Sequence, residues 1–344
     1  MKALVKYASG DGNVDIMDVD EPICGENQIK IEVAFCGVCG TDLHVMHDTF
    51  RNYPPVILGH EFAGTVVEAG RNVTSISPGD AVTVLGATAV TCGQCAYCRS
   101  GYFIFCANRR GMGHGVNGAF TRYVVVRPDQ AYRIPEGFSL EEAALSEPFA
   151  AAVQAVTEVT KVRIGETALI SGPGPIGLLC LKLLVAEGVK TIVAGAAGDT
   201  ERLESARGIG AAAVVNTAER NLGDVVREET GGVGVDVALE CAGHPKSVSN
   251  CLDALRPMGR YTQVAICGRE IQFPIDRIFY KQLTVAGSVC YTTRTWDRMM
   301  NIFAQGRLRL RDMISAKLPL SDWRTGFDLC VQKKALKVLL YPEA

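Results

Sequence analysis

The chain has 344 residues, of which 48% are hydrophobic and 21% charged, and its formal net charge is −2. That length and composition suit a globular protein of roughly two domains, with room for more than one core. Near-neutral charge excludes a global basic field for holding nucleic acid or an anionic membrane.

The opening MKALVKYASGDG is too short in apolar length and acidic too early to serve as a signal peptide. The segments Gln28–Ala34, Glu61–Glu68 and Ala81–Leu85 alternate as short strands between Gly, Pro and Asp turns. Gly79–Asp80 marks one of these turns. The character changes near Glu147–Pro148, where apolar strands begin to alternate with helical patterns. Thr167–Ser171 reads as a buried strand and Pro175–Gly188 as a helix, with Ile176, Leu179, Cys180, Leu183 and Leu184 at helical spacing. Lys182 interrupts this apolar stretch, which falls well short of the roughly 20 residues of a membrane span. A cytoplasmic protein with no membrane partner is therefore expected. Thr191–Ala194 reads as a second strand, Thr200–Arg207 as a second helix, and Val235–Glu240 and Arg260–Ala265 as further strands. This βαβ rhythm predicts a parallel, doubly wound sheet in an α/β protein. From about Tyr291 the pattern holds one or two helices and then an apolar strand at Lys337–Tyr341, expected to return to the first domain.

There are 13 cysteines, an odd number with tight local clustering. That argues against a disulfide framework and for metal. Cys92, Cys95, Cys98 and Cys106 form C-x2-C-x2-C-x7-C in a turn-rich loop. Four thiolates can close a tetrahedral zinc site with no open position, so its role would be structural. A nucleic-acid-binding zinc module is disfavoured, because only Arg99, Arg109 and Arg110 lie nearby and no recognition-helix pattern follows.

Other candidate ligands are dispersed. GVCGTDLH carries Cys39, Thr41, Asp42 and His44; GHEFAG carries His60 and Glu61; SEP carries Glu147. A catalytic zinc needs about three protein ligands and one open position. Taken singly, each of these is an ordinary residue. Cys36 and Cys39 also form a CxxC, but a thioredoxin-like pair would need a βαβ context that is missing here. SGPGPIG supplies Gly172, Gly174, Pro175, Ile176 and Gly177, a G-x-G-x-x-G between strand and helix that suits a dinucleotide pyrophosphate. An acid is expected at the end of the next strand to bind a ribose hydroxyl. Gly195 stands there instead, with Asp199 and Glu201 close behind and no Lys or Arg in 193–201. Two acids and no base favour NAD; Arg202 leaves NADP open.

Together these motifs resemble the zinc-dependent medium-chain dehydrogenase/reductase superfamily, in its polyol (sorbitol) and threonine dehydrogenase branch. The resemblance runs from end to end. It implies a β-rich GroES-like catalytic domain over 1–149 with a structural zinc lobe at about 88–110. A Rossmann domain would follow over 150–288, and 289–344 would return to the catalytic domain. Two zinc ions per chain are implied. Cys39 and His60 would hold the catalytic one, with Glu61 as a ligand or exchanging ligand. Glu147 would be a further ligand or would hold the water beside the metal. Simple ethanol-type enzymes carry a second Cys near that position, and ALSEPFA has none.

The resemblance further implies a proton path that begins at Thr41 and ends at His44 by way of the cofactor ribose. Cys241, Ala242, Val264 and Ile266 would lie over the nicotinamide ribose. The implied reaction moves a hydride from a secondary alcohol to NAD(P)+. Many polyol dehydrogenases carry an Arg where this chain has Cys290, and Arg294 is out of register, so the substrate stays open among polyols, sugars and their derivatives. An L-threonine 3-dehydrogenase-like activity is the alternative. A non-enzymatic binding or structural protein on a retained fold is a second alternative, against which the intact Cys39, Thr41, His44, His60, Glu61 and Glu147 argue. The strand Leu283–Val289 is expected to pair with its equivalent in a second copy, giving a homodimer or homotetramer.

Overall fold

A computed structural model describes residues 1–343. The chain divides into two compact units. One comprises Met1–Glu147 and the segment from Thr292 onward; the other comprises Pro148–Tyr291.

The first unit opens with strands β1 (Lys2–Lys6), β2 (Val14–Asp18) and β3 (Ile29–Gly37), then helix α1 (Gly40–Met46). Strands β4 (Val56–Ile57), β5 (Glu61–Ala69) and β6 (Ala81–Val84) follow. A one-turn helix α2 (Ala96–Arg99) lies in the cysteine-rich loop. Strands β7 (Tyr123–Val126) and β8 (Ala131–Arg133) and the short helix α3 (Leu140–Ala143) complete this part. Helix α4 (Ser146–Val153) carries the chain into the second unit.

There β9 (Thr167–Ser171), α5 (Pro175–Ala186), β10 (Lys190–Gly195), α6 (Thr200–Ile209), β11 (Ala213–Asn216) and α7 (Leu222–Thr230) alternate. β12 (Val235–Glu240), α8 (Pro245–Ala254), β13 (Leu255–Gln263), α9 (Ile275–Lys281) and β14 (Thr284–Gly287) continue the alternation. The first unit is completed by α10 (Thr293–Ala304), β15 (Ile314–Pro319), α11 (Trp323–Val331) and β16 (Lys337–Tyr341).

In the second unit six parallel strands run β11-β10-β9-β12-β13-β14. The sheet therefore reverses direction between β9 and β12, the point at which doubly wound sheets bind ligands beyond their carboxyl ends. Strands β9 and β12 occupy the residues expected of them, and all but Thr167 and Asp236 are buried, because both faces of a parallel sheet are covered. β13 begins at Leu255, five residues before the expected Arg260; Pro257 and Gly259 mask its start, and its register against β12 shifts there. Helix α5 is buried beyond one stripe, with Leu178 and Leu181 as inaccessible as Leu179 and Cys180.

In the first unit the main sheet runs β15-β16-β3-β5-β6-β8, with β7 also paired to β3. β3 is the organiser. Its first half pairs with β7 (Ile29 opposite Val126) and its last residues pair with β16 (Leu339 opposite Gly37). Along its other edge runs β5, with Gly37 opposite Glu61. Ile29, Ile31, Val33, Phe62, Val82, Phe120 and Val338 face the shared core. Among the described residues no helix is long and apolar enough to cross a membrane.

Candidate active site and metal centres

Three strand ends meet in the first unit. β3 ends at Gly37, two residues before Cys39; β5 starts at Glu61, one residue after His60; β16 starts at Lys337. Register puts them together. Gly37 lies opposite both Glu61 and Leu339, and the Val38 amide donates to the Val338 carbonyl at 2.9 Å. Ligand atoms of Cys39, His60 and Glu61 consequently all lie within 4.8 Å of one another.

Asp42 ties the ligands into position. It is buried in the first turn of α1. One carboxylate oxygen accepts the Cys39 amide at 2.9 Å and the other accepts the Gly59 amide at 3.3 Å. The second oxygen also stands 3.5 Å from His60 Nδ1, a buried nitrogen with no closer hydrogen-bond partner. A carboxylate behind one ring nitrogen is the usual arrangement for a histidine that offers its other nitrogen to a metal. Burial works against a proton on His60, yet the Asp42 carboxylate and the Cys39 sulfur outweigh it and raise the imidazole pKa well above its ordinary value. A site whose negative field holds a proton that strongly also favours a cation. The donor set, one thiol, one imidazole and one carboxylate, fits zinc.

Lys337 is the cation already present. Its Nζ donates to Glu61 Oε1 at 2.6 Å, to Glu61 Oε2 at 2.5 Å and to the Val38 carbonyl at 3.1 Å. Burial disfavours this charge, but the Glu61 carboxylate more than compensates, and the pKa of the ammonium is raised. Nothing in the apolar pattern of Lys337–Tyr341 marks the lysine as part of a site; only strand register reveals it. Asp42, visible beside Cys39 in the sequence, is likewise given its role by the fold.

The other expected site residues fall as follows. Thr41 is half-buried in the first turn of α1. His44, in the last turn, is exposed and bonded through Nδ1 to Thr49 Oγ1 at 3.0 Å. Glu147 is half-buried in the first turn of α4 and is not a member of the three-ligand cluster. Cys36 is buried, and burial pushes its thiol pKa up, as for an inert core residue.

The four lobe cysteines converge. Cys92, Cys95, Cys98 and Cys106 place their sulfurs within 4.8 Å of one another. Tetrahedral zinc with Zn–S bonds near 2.3 Å requires sulfurs about 3.8 Å apart, and Cys92 and Cys98 are 3.9 Å apart. Backbone amides point at the sulfurs: Cys95 N to Cys92 Sγ at 3.3 Å, Cys98 N to Cys95 Sγ at 3.4 Å and Cys92 N to Cys106 Sγ at 3.4 Å. Amides from Gln94 and Cys95 pull the Cys92 thiol down to about 6, while burial pushes Cys98 up to about 11. Amide hydrogens that stabilise a thiolate are what a zinc-binding turn needs.

In the second unit the glycine loop follows β9. Gly172 has φ +108°, and a Cβ there would stand 2.7 Å from the Ala242 amide and the Cys241 carbonyl carbon. A Cβ on Gly177 would stand 2.1 Å from the Gly172 carbonyl oxygen, so loop and helix touch backbone to backbone. A Cβ on Gly174 would meet nothing within 4 Å, so that side of the N-terminus of α5 is open to a phosphate. The loop at Cys241–Gly243 is fixed by buried Glu240, whose Oε1 accepts the Ala242 and Gly243 amides, each at 3.0 Å. Val264 and Ala265 donate to the Glu240 carbonyl at 2.9 and 3.0 Å, and exposed Ile266 follows. The two stretches expected over the nicotinamide ribose therefore pack side by side at the carboxyl edge of the sheet. Gly195 ends β10, and Asp199 folds back so that its carboxylate accepts the Ala196 amide at 3.0 Å. Arg202 is half-buried on α6.

Comparison with known proteins gives the family. Residues 25–136 match the alcohol dehydrogenase GroES-like domain, and residues 175–305 match the zinc-binding dehydrogenase domain. A sorbitol dehydrogenase of Halalkalibacterium halodurans is 35% identical over 99% of both chains. A D-arabitol-phosphate dehydrogenase of Enterococcus avium is 33% identical over 99% of this chain and 97% of its own. Among solved structures, a zinc-binding dehydrogenase from Sinorhizobium meliloti 1021 bound to NADP superposes with TM-score 0.88 at 31% identity, covering 99% of each chain. The chain belongs to the zinc-dependent medium-chain dehydrogenase/reductase superfamily. It is an NAD(P)-dependent oxidoreductase, a zinc-dependent alcohol dehydrogenase that combines a GroES-like domain with a Rossmann sheet.

Proposed function

We propose that this enzyme oxidises a secondary alcohol of a polyol, sugar or sugar derivative to a ketone and delivers the hydride to NAD+. The observation that carries this reading is the Cys39–His60–Glu61 cluster, in which a carboxylate accompanies the thiol and imidazole. Two relatives named for acting on a polyol and on a polyol phosphate support the substrate class. Cys39, His60 and Glu61 hold the catalytic zinc, with Glu147 contributing from farther out. Zinc held there supplies Lewis acidity toward a substrate oxygen. The substrate carbon gives its hydride to the nicotinamide, and its hydroxyl proton leaves by way of Thr41 and the exposed ring of His44. Gly172, Gly174, Pro175, Ile176 and Gly177 receive the pyrophosphate. Gly195 and Asp199 receive the adenosine ribose beside Arg202, and the acids at 199 and 201 favour NAD over its phosphorylated form.

A panel of polyols, polyol phosphates, vicinal diols and L-threonine, each with NAD+ and with NADP+, tests the assignment by absorbance of the reduced cofactor. The expected result is turnover of a polyol or its phosphate, with kcat/KM for NAD+ at least about tenfold above that for NADP+, the equivalent of about 1.4 kcal/mol. Turnover of L-threonine alone would replace the substrate reading, and a preference for NADP+ would overturn the reading of Asp199.

The active form is proposed to be a homo-oligomer joined along β14. Among the described residues that strand ends the six-stranded sheet and bonds only to β13. Nearby Phe279 and Tyr280 are about four-fifths exposed, and Val285 of β14 is exposed as well. Apolar side chains beside a bare strand edge suit a second copy. Light scattering should report a dimer or tetramer for the parent and monomers for Phe279→Glu/Val285→Lys. A monomeric parent at micromolar concentration would refute the proposal.

A further inference from the structure

We propose that Lys337 is a positioning residue that competes with the metal for Glu61 and thereby keeps one coordination position open. The proposal rests on the metal centre at Cys39, His60 and Glu61 proposed above. An ammonium group has three hydrogens to donate. Lys337 spends them on the two oxygens of Glu61 and on the Val38 carbonyl, so it is fully satisfied where it stands. It cannot retreat, since the next three residues of β16 are buried and Leu339 is held in register with Gly37. Lys337 and Glu61 are both shut off from solvent.

The same carboxylate lies within 4.8 Å of the Cys39 and His60 ligand atoms. Glu61 therefore stands between one fixed cation and the place of another. Charges in such a setting are weakly screened, so an ammonium and a divalent ion that share one carboxylate each loosen the other's hold. The carboxylate can stand in this position because residue 37, across the strand pair, has no side chain: a Cβ at Gly37 would stand 2.5 Å from Glu61 Oε2. With Glu61 turned to Lys337 the metal keeps a place for the substrate oxygen. With Lys337 removed, Glu61 is left as a buried carboxylate whose remaining counter-ion is the metal.

The test is zinc release from the purified holoenzyme to a chromogenic chelator, paired with the visible spectrum of the cobalt(II)-substituted enzyme. Lys337→Met should slow release from the catalytic position by about tenfold or more, in the range outer-shell partners command. Its cobalt bands should shift as Glu61, no longer shared with the ammonium, binds the metal more closely. Lys337→Gln, which keeps a hydrogen bond to Glu61 without the charge, should move both readouts in the same direction even if Lys337→Met does not fold. Lys337→Met/Glu61→Gln should abolish the gain. Unchanged or faster release in the single variants, with an unaltered cobalt spectrum, would overturn the competition. Failure of the metal centre itself has a different signature: Cys39→Ser would then retain the parent's full zinc content.

Discussion

Replacing Cys39 with serine or His60 with alanine should lower turnover by about three orders of magnitude or more, which at 1.36 kcal/mol per decade corresponds to about 4 kcal/mol of lost transition-state stabilisation. Several kilocalories is what a Lewis-acid metal supplies to such a reaction. The loss should be confined to chemistry. Both residues belong to the unit Met1–Glu147, whereas the glycine loop and the Cys241–Gly243 loop belong to Pro148–Tyr291, built on a core of its own. NADH should therefore still bind, as followed by quenching of protein fluorescence, while steady-state turnover disappears. Full activity in either variant would remove the proposed mechanism. Loss of NADH binding along with turnover would point to misfolding instead. The Asp42 carboxylate predicts how the damage spreads: it bonds the amides of Cys39 and Gly59, so the backbone of both ligand loops should stay in place when one ligand side chain is changed.

The second large effect is expected at the cysteine lobe. Cys98→Ser should lower the zinc content from two ions per chain to one, measured by elemental analysis after preparation without chelators. Chelated zinc contributes folding energy outright where no other core exists. The lobe fits that description: α2 is a single turn, and Tyr97, Tyr102 and Phe105 are all about half exposed. Without the metal the loop should open locally while the rest of the chain stays folded. Arg99, Arg109 and Arg110 lie in or beside the lobe and offer trypsin its sites. Cleavage there should accelerate about 100-fold, equivalent to about 2.7 kcal/mol of lost local stability when opening is fast relative to cutting. A variant that kept both zinc ions and resisted trypsin as the parent does would show that the sulfurs hold no metal.

The features legible in the residues alone share one property: their determinants lie close together along the chain. Four cysteines within fifteen positions need only a few turns to meet, and the amides that face their sulfurs come from the same loop. The strand, glycine turn and helix from Thr167 to Ala186 form one continuous stretch, in which apolar runs and G-x-G-x-x-G report the same local geometry. The α/β alternation of the second unit is readable for the same reason. What is blurred is also local: β13 starts within LRPMG, where Pro and Gly hide a strand, and α7, α8 and α9 carry polar faces that leave weaker apolar patterns.

By itself the sequence determined the class of fold, the two candidate metal sets and the cofactor loop. The tertiary structure alone showed how the dispersed ligands meet and which unmarked residues stand beside them. Cys39, His60 and Glu61 become neighbours because β3 and β5 pair so that Gly37 faces Glu61. Lys337 reaches Glu61 across 276 residues of chain because β16 joins the end of β3, and Asp42 acquires its role by bridging two ligand loops. Strand register is set by the hydrophobic pattern of whole sheets rather than by any short motif. A lysine at the head of an apolar strand therefore reads as solvated until the pairing places it against a buried carboxylate.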